Sequence, residues 1–107
     1  MSAVRSSAVL LAAVVCATAA APASAATIEV KMSNVAYEPA TISAKAGDTI
    51  VWTNNDVVAH SATARDKSWD VVVMPKKTGS FTVKAAGTIE YYCKYHPNMV
   101  GRIEAKD

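Results

Sequence analysis

The stretch CKYHPNMVG, Cys93 to Gly101, holds a thiol, an imidazole and a thioether within seven residues, Cys93, His96 and Met99. The chain has one other histidine, His60, in the apolar stretch VVAHSAT. Two imidazoles, a thiolate and a thioether make a mixed donor set. A trigonal His-His-Cys site with a weak axial Met is the arrangement of electron-transfer copper. Cu(I) favours soft sulfur and low coordination, whereas Cu(II) favours nitrogen and more ligands. A rigid scaffold presenting both kinds of donor suits both states moderately, so little has to move when an electron does.

Each residue taken singly has a plainer reading. A histidine among apolar neighbours is usually a hydrogen-bonded core residue, and a buried cysteine usually a small hydrophobe. Met99 alone would be packing, and Pro97 alone a turn. Their conjunction, Cys-x-x-His-x-x-Met with a second histidine upstream, points to copper. Zinc would take Cys and His but gains little from a thioether, and there is no Cys-x-x-Cys pair.

Such ligands need a scaffold, and the sequence after residue 26 reads as strands. Ile28, Val30 and Met32 alternate with Glu29 and Lys31, Ile42 and Ala44 with Thr41, Ser43 and Lys45, and Ile50 and Trp52 with Val51 and Thr53. The same period of two runs through Phe81 and Val83, through Ile89, Tyr91 and Cys93, and through Ile103 and Ala105. Ala46-Gly47-Asp48, Asn54-Asn55-Asp56, Lys77-Thr78-Gly79 and Ala86-Gly87 punctuate the runs as turns. No long period of 3.6 follows residue 26. The expectation is an all-β domain, a small antiparallel sandwich or barrel. Residues 64 to 78 read as a loop or short edge strand. Cys93 should end a strand with its side chain inward, and Tyr95 to Met99 should form the loop to a last strand starting near Val100. Trp52, on the Ile50 face, is expected in the core.

The N-terminus has a different character. Arg5 precedes an apolar run from Ala8 to about Ala21, which ends in Ala23-Ser24-Ala25. This is the pattern of a secretory signal, with the cut expected after Ala25. A membrane span fits less well, because the apolar run is short and alanine-rich. Val14 and Val15, before Cys16, are not the small residues that lipid attachment wants. The expected division is therefore a signal peptide over 1–25 and one domain over 26–107, exported to the periplasm. Cutting 25 of 107 residues leaves 82, with 10 basic against 9 acidic side chains. Nothing in that balance calls for nucleic acid or a membrane surface as partner. Cys16 leaves with the signal, so Cys93 has no internal disulfide partner. A lone thiol in an oxidising compartment is a liability unless it is buried or bound. A domain this small without a disulfide would also gain stability from a bound metal.

The mature sequence resembles the small blue copper proteins, the cupredoxins, and in particular their amicyanin and plastocyanin-like branch. The resemblance spans nearly all of residues 27 to 106 and rests on AGDTIVWTNND, AHS with His60, GTIEYYC and CKYHPNMVG. The spacing Cys-x-x-His-x-x-Met is similar to that of amicyanin. The resemblance implies a Greek-key β-sandwich of about eight strands, His60, Cys93 and His96 as strong copper ligands, and Met99 as the weak axial one. It also implies one copper ion per chain and a one-electron carrier. Three positions depart from the family pattern. Tyr95 stands where amicyanin has Pro, and its N–H, if aimed at the Cys93 sulfur, would raise the potential. Ser61 stands where an Asn often ties the two ligand loops together, which leaves that tie open, although the Ser61 backbone N–H can still donate to the thiolate. Ile89 stands where a Tyr is frequent.

Four functions are compatible in principle with these residues. An electron shuttle would present an apolar patch around His96, with Pro97, Val100, Met74 and Pro39 as candidates. Lys76, Lys77 and Lys94 would bias encounter toward an acidic partner. The expected partners are redox proteins such as a c-type cytochrome or a periplasmic dehydrogenase, and the expected state is a monomer. Copper storage or delivery is the alternative, but it would favour a Met- or His-rich exchangeable cluster. An oxidase would need a second copper cluster, which two histidines cannot supply. A metal-free sandwich would leave His60 and His96 apart and Cys93 open to thiol reagents.

Overall fold

The computed structural model describes residues 25–107. The expected signal peptide lies, but for Ala25, outside the described residues. Nine strands follow: β1 (Thr27–Met32), β2 (Tyr37–Glu38), β3 (Thr41–Lys45), β4 (Thr49–Asn54), β5 (His60–Ala64), β6 (Asp70–Val73), β7 (Thr78–Thr82), β8 (Gly87–Cys93) and β9 (His96–Lys106). No helix occurs among the described residues.

They form two sheets, ordered β2-β1-β4-β7 and β3-β9-β8-β5-β6. Alternation in the sequence becomes alternation in burial. Ile42 and Ala44 of β3 turn inward, as do Ile50, Trp52 and Asn54 of β4. On β9 the buried positions are Met99, Gly101, Ile103 and Ala105. The inward faces meet in one core around Trp52 and Tyr91, both 0 % exposed. Their rings meet edge to face at 5.5 Å, and Trp52 Nε1 donates to Tyr91 Oη at 3.2 Å. Tyr37 sits edge-on to Tyr91 at 4.6 Å. Trp52 therefore lies in the core as its strand face indicated, and Trp52→Ala would cost about 3–5 kcal/mol.

The architecture departs from the sequence reading in two places. The sheets are mixed rather than antiparallel. β1 pairs with β4 in parallel, Val30 opposite Trp52, and β3 pairs with β9 in parallel, Ile42 opposite Ile103. Period-two alternation is identical in both pairing modes, so the sequence carries no signal that separates them. Residues 64 to 78, by contrast, agree with their reading and supply a short edge strand, β6, which pairs with β5 through His60 and Val73. Finally, the last strand starts at His96 rather than near Val100. Cys93 pairs with His96 across a two-residue connection, Lys94-Tyr95, with a register shift between Tyr92 and Cys93. Pro97 and Asn98 thus lie in the strand and not at a turn. Register through the irregularity keeps Met99 on the inner face, because Val100 pairs with Tyr92 and Gly101 with Tyr91.

Candidate metal centre

β5, β8 and β9 are neighbours in one sheet, and their ends bring three of the expected ligands to one point. His60 opens β5, Cys93 closes β8 and His96 opens β9. His60 and Cys93 are 0 % exposed, while His96 is half-buried. His60 Nδ1 and His96 Nδ1 lie 3.2 Å apart, and Cys93 Sγ lies 3.8 Å from the first and 3.6 Å from the second. Met99 is 2 % exposed and belongs to the same core cluster as Cys93.

These distances test whether a metal fits. An ion at bond lengths of about 2.0 Å to nitrogen and about 2.3 Å to sulfur would see the three donors at angles of roughly 105–125°, near a trigonal plane. The donor chemistry agrees. His60 Nε2 meets Asp56 Oδ2 at 2.7 Å. An ionised carboxylate at that distance accepts a hydrogen bond from Nε2–H, so the Nδ1 lone pair of His60 faces Sγ and the second imidazole. A lone pair, an imidazole nitrogen and a sulfur crowded on one point are what a cation satisfies.

The surroundings hold the donors in place. Ser61 donates its backbone N–H to Cys93 Sγ at 3.3 Å. This is the donation open to Ser61 in the sequence; among the described residues no such hydrogen bond comes from Tyr95, so the condition set on Tyr95 is not met. The tie left open at Ser61 is made: Lys94 N–H donates to Ser61 Oγ at 2.9 Å, and Ser61 Oγ meets Thr63 Oγ1 at 2.8 Å. Tyr37 Oη donates to the Ser61 carbonyl. Burial, with Cys93 and Tyr91 nearby, pushes the Tyr37 phenol far up, so it remains a protonated donor. Asn54 braces the loop before His60: its Nδ2 donates to the carbonyls of Val58 and Val73 at 2.8 and 3.0 Å, and its Oδ1 accepts from Asp56 N at 2.9 Å.

Sequence reasoning read Asn54-Asn55-Asp56 only as a turn and missed Asp56 and Asn54 as parts of the site. An acid four residues before a candidate ligand histidine was the available signal. The Asp56 carboxyl is lowered to about 2, chiefly by the Val35 N–H and by the His60 ring, which also holds it ionised.

Comparison with known proteins decides the family. The cupredoxin-like domain matches residues 6–104. The chain belongs to the cupredoxin-like family. It is 36 % identical over 101 residues to a plastocyanin of Prochlorothrix hollandica, covering 78 % of this chain and 76 % of that one. It is 30 % identical over 91 residues to an amicyanin of Paracoccus denitrificans, covering 79 % and 70 % respectively. Among solved structures it is similar to a reduced Cu(I) form of an amicyanin variant, with a TM-score of 0.67 and 27 % identity over 75 % of this chain and 82 % of that one. A purple cupredoxin from Nitrosopumilus maritimus, 21 % identical, shares the fold with a TM-score of 0.69, over 74 % of this chain and 99 % of the other. Members of this family bind one copper, and His60, Cys93 and His96 form a site that fits it.

Proposed function

We propose that this cupredoxin is a one-electron carrier with a single copper held by His60, Cys93 and His96, and by Met99 as a weak fourth ligand. Copper in such a site supplies a one-electron Cu(II)/Cu(I) couple. The convergence of three donor atoms within 3.2 to 3.8 Å, from strand ends 33 to 36 residues apart and one short hairpin, carries this reading. Plastocyanin and amicyanin, the relatives above, are electron carriers and not enzymes, which supports it.

The chain's own residues divide the work. His60 and Cys93 lie buried, so water is kept from the donors. His96 alone reaches toward the surface, in a sequence of exposed neighbours, Tyr95, Pro97 and Asn98. Exposed apolar side chains gather in the connections at this end of the sheet: Val57 at 81 %, Met74 at 56 % and Tyr95 at 50 %. Such a face suits brief docking with a small interface and fast release. Of the three lysines expected to steer an acidic partner, Lys94 is already paired with Asp70 at 2.6 Å. Lys76 and Lys77 remain exposed for that role. The partner class that fits is another redox protein, such as a c-type cytochrome or a periplasmic dehydrogenase, met by a monomer. Residues 1–25 act as a signal peptide cut after Ala25, and residues 26–107 work in the periplasm.

Addition of Cu(II) to the purified protein tests this reading. An intense red-light absorption saturating at one copper per chain and bleaching reversibly with ascorbate is expected. One copper bound without that band would remove Cys93 from the ligand set and favour storage or delivery. No copper bound would leave a bare sandwich.

A further inference from the structure

Asp56 does more than end a turn. Its Oδ2 accepts from His60 Nε2 at 2.7 Å and from the Val35 N–H at 2.9 Å, and its Oδ1 accepts from the Asn34 N–H at 2.9 Å. The two backbone donors come from the connection between β1 and β2, more than 20 residues away in sequence. That connection has an unusual backbone. Asn34 has φ 52° and Val35 φ 57°, and Ser33 and Ala36 close the turn with reciprocal bonds of 2.9 and 3.1 Å. Asn tolerates the left-handed region, but a β-branched residue there is an outlier that persists only when its surroundings impose it. Successive left-handed residues aim consecutive N–H groups to one side and form a concave anion site. The carboxylate of Asp56 fills it.

We propose that Asp56 is a positioning residue for the metal centre, seated by the Ser33–Ala36 turn so that it orients His60 and places a negative charge behind its ring. This rests on the reading of His60 as a copper ligand. Three consequences follow from the geometry. The proton on His60 is held at Nε2, which leaves Nδ1 as the donor. Ring rotation is restricted, because Nε2 is anchored to a carboxylate that is itself anchored twice. The anion also makes the imidazole a stronger donor, which favours Cu(II) over Cu(I) and lowers the potential. The first sheet, through β1 and β2, thereby sets a ligand that belongs to the second.

Asp56→Asn and Asp56→Ala separate these effects. Asn keeps an acceptor oxygen and removes the charge, whereas Ala removes both. For Asp56→Asn we expect the Cu(II)/Cu(I) equilibrium to move toward Cu(I) by about tenfold, a rise of about 59 mV for a one-electron couple. In metal-free protein, nitrogen NMR of the His60 ring should show the Nε2–H form in the wild type and in Asp56→Asn, and a mixture of tautomers in Asp56→Ala. Unchanged potential in both variants would sink the electrostatic role. Should the variants not fold, the wild-type ring decides alone: a His60 proton found on Nδ1 overturns the proposal. The ring measurement needs no metal, so a wild type without the red-light band would refute the copper reading while leaving the Asp56 contact separately tested.

Discussion

Lys94 donates its backbone N–H to Ser61 Oγ at 2.9 Å, so the residue after Cys93 is tied to the residue after His60. The same serine donates its own N–H to Cys93 Sγ at 3.3 Å. One small side chain thus joins two strand ends, while its backbone touches the sulfur between them. Ser61 is 0 % exposed, and so water cannot replace what its hydroxyl supplies.

Ser61→Ala should therefore leave the Lys94 N–H without its partner and destabilise the metal-free protein by about 1–3 kcal/mol. The N–H bond to Sγ survives the substitution. Chemical denaturation of the two proteins measures the loss. A midpoint equal to the wild type's would show that the tie contributes nothing.

Met99→Leu separates ligation from packing. The two side chains are similar in volume, so the metal-free protein should lose less than about 1.5 kcal/mol. With copper bound, removal of the proposed fourth ligand lowers the coordination number, which Cu(I) tolerates better than Cu(II), and the potential should rise. Potentiometry together with thermal melting checks both halves. An unaltered potential would make Met99 a core residue and nothing more.

Gly101 lies against the face of Tyr91. A Cβ added there would stand 2.4 Å from Tyr91 Cζ, 2.6 Å from its Oη and 2.8 Å from Cε1. Tyr91 is 0 % exposed and held by Trp52, so its ring has nowhere to go. Gly101→Ala should cost about 3 kcal/mol, at the upper end of what overpacking typically does. Adding Tyr91→Phe should not rescue it, because the contact to Cζ remains. Melting temperatures of the single and double variants decide the matter.

Asp48 governs part of the acid sensitivity. Its carboxylate accepts the backbone N–H of Ala26 at 2.8 Å and that of Lys45 at 2.8 Å, and these bonds, Ala26 first, hold its carboxyl below the ordinary 3.8. A carboxyl lowered in the folded state contributes stability at pH values above its unfolded value. That contribution is lost as pH falls through the folded value. Below about pH 4 the melting temperature of the wild type should fall more steeply than that of Asp48→Asn. Parallel curves would contradict the assignment. With the proposed cut after Ala25, the Ala26 nitrogen becomes the chain's α-amine, and its bond to Asp48 becomes charge-assisted.

Much of this protein is local in its sequence. Alternation from Thr41 to Lys45, from Thr49 to Asn54 and from Gly87 to Cys93 marks strands and their inner faces, because side-chain direction in a strand depends only on position along it. The donor set is equally plain, since Cys93, His96 and Met99 lie within seven residues and His60 is the only other histidine. What the residues alone could not decide is what depends on register between distant strands. The parallel pairing of β1 with β4 and of β3 with β9 leaves no mark on alternation. The start of β9 at His96, within CKYHPNMVG, comes from the Cys93–His96 pairing and a register shift that the turn-forming look of Pro97-Asn98 conceals. Asp56 reads as a turn residue until the Asn34–Val35 backbone, 21 to 22 residues earlier, is folded beneath it. Residue types determined which metal chemistry is available. Only the tertiary structure decided which lone pairs face it, because a hydrogen bond's partner is set by distance in space and not by distance along the chain.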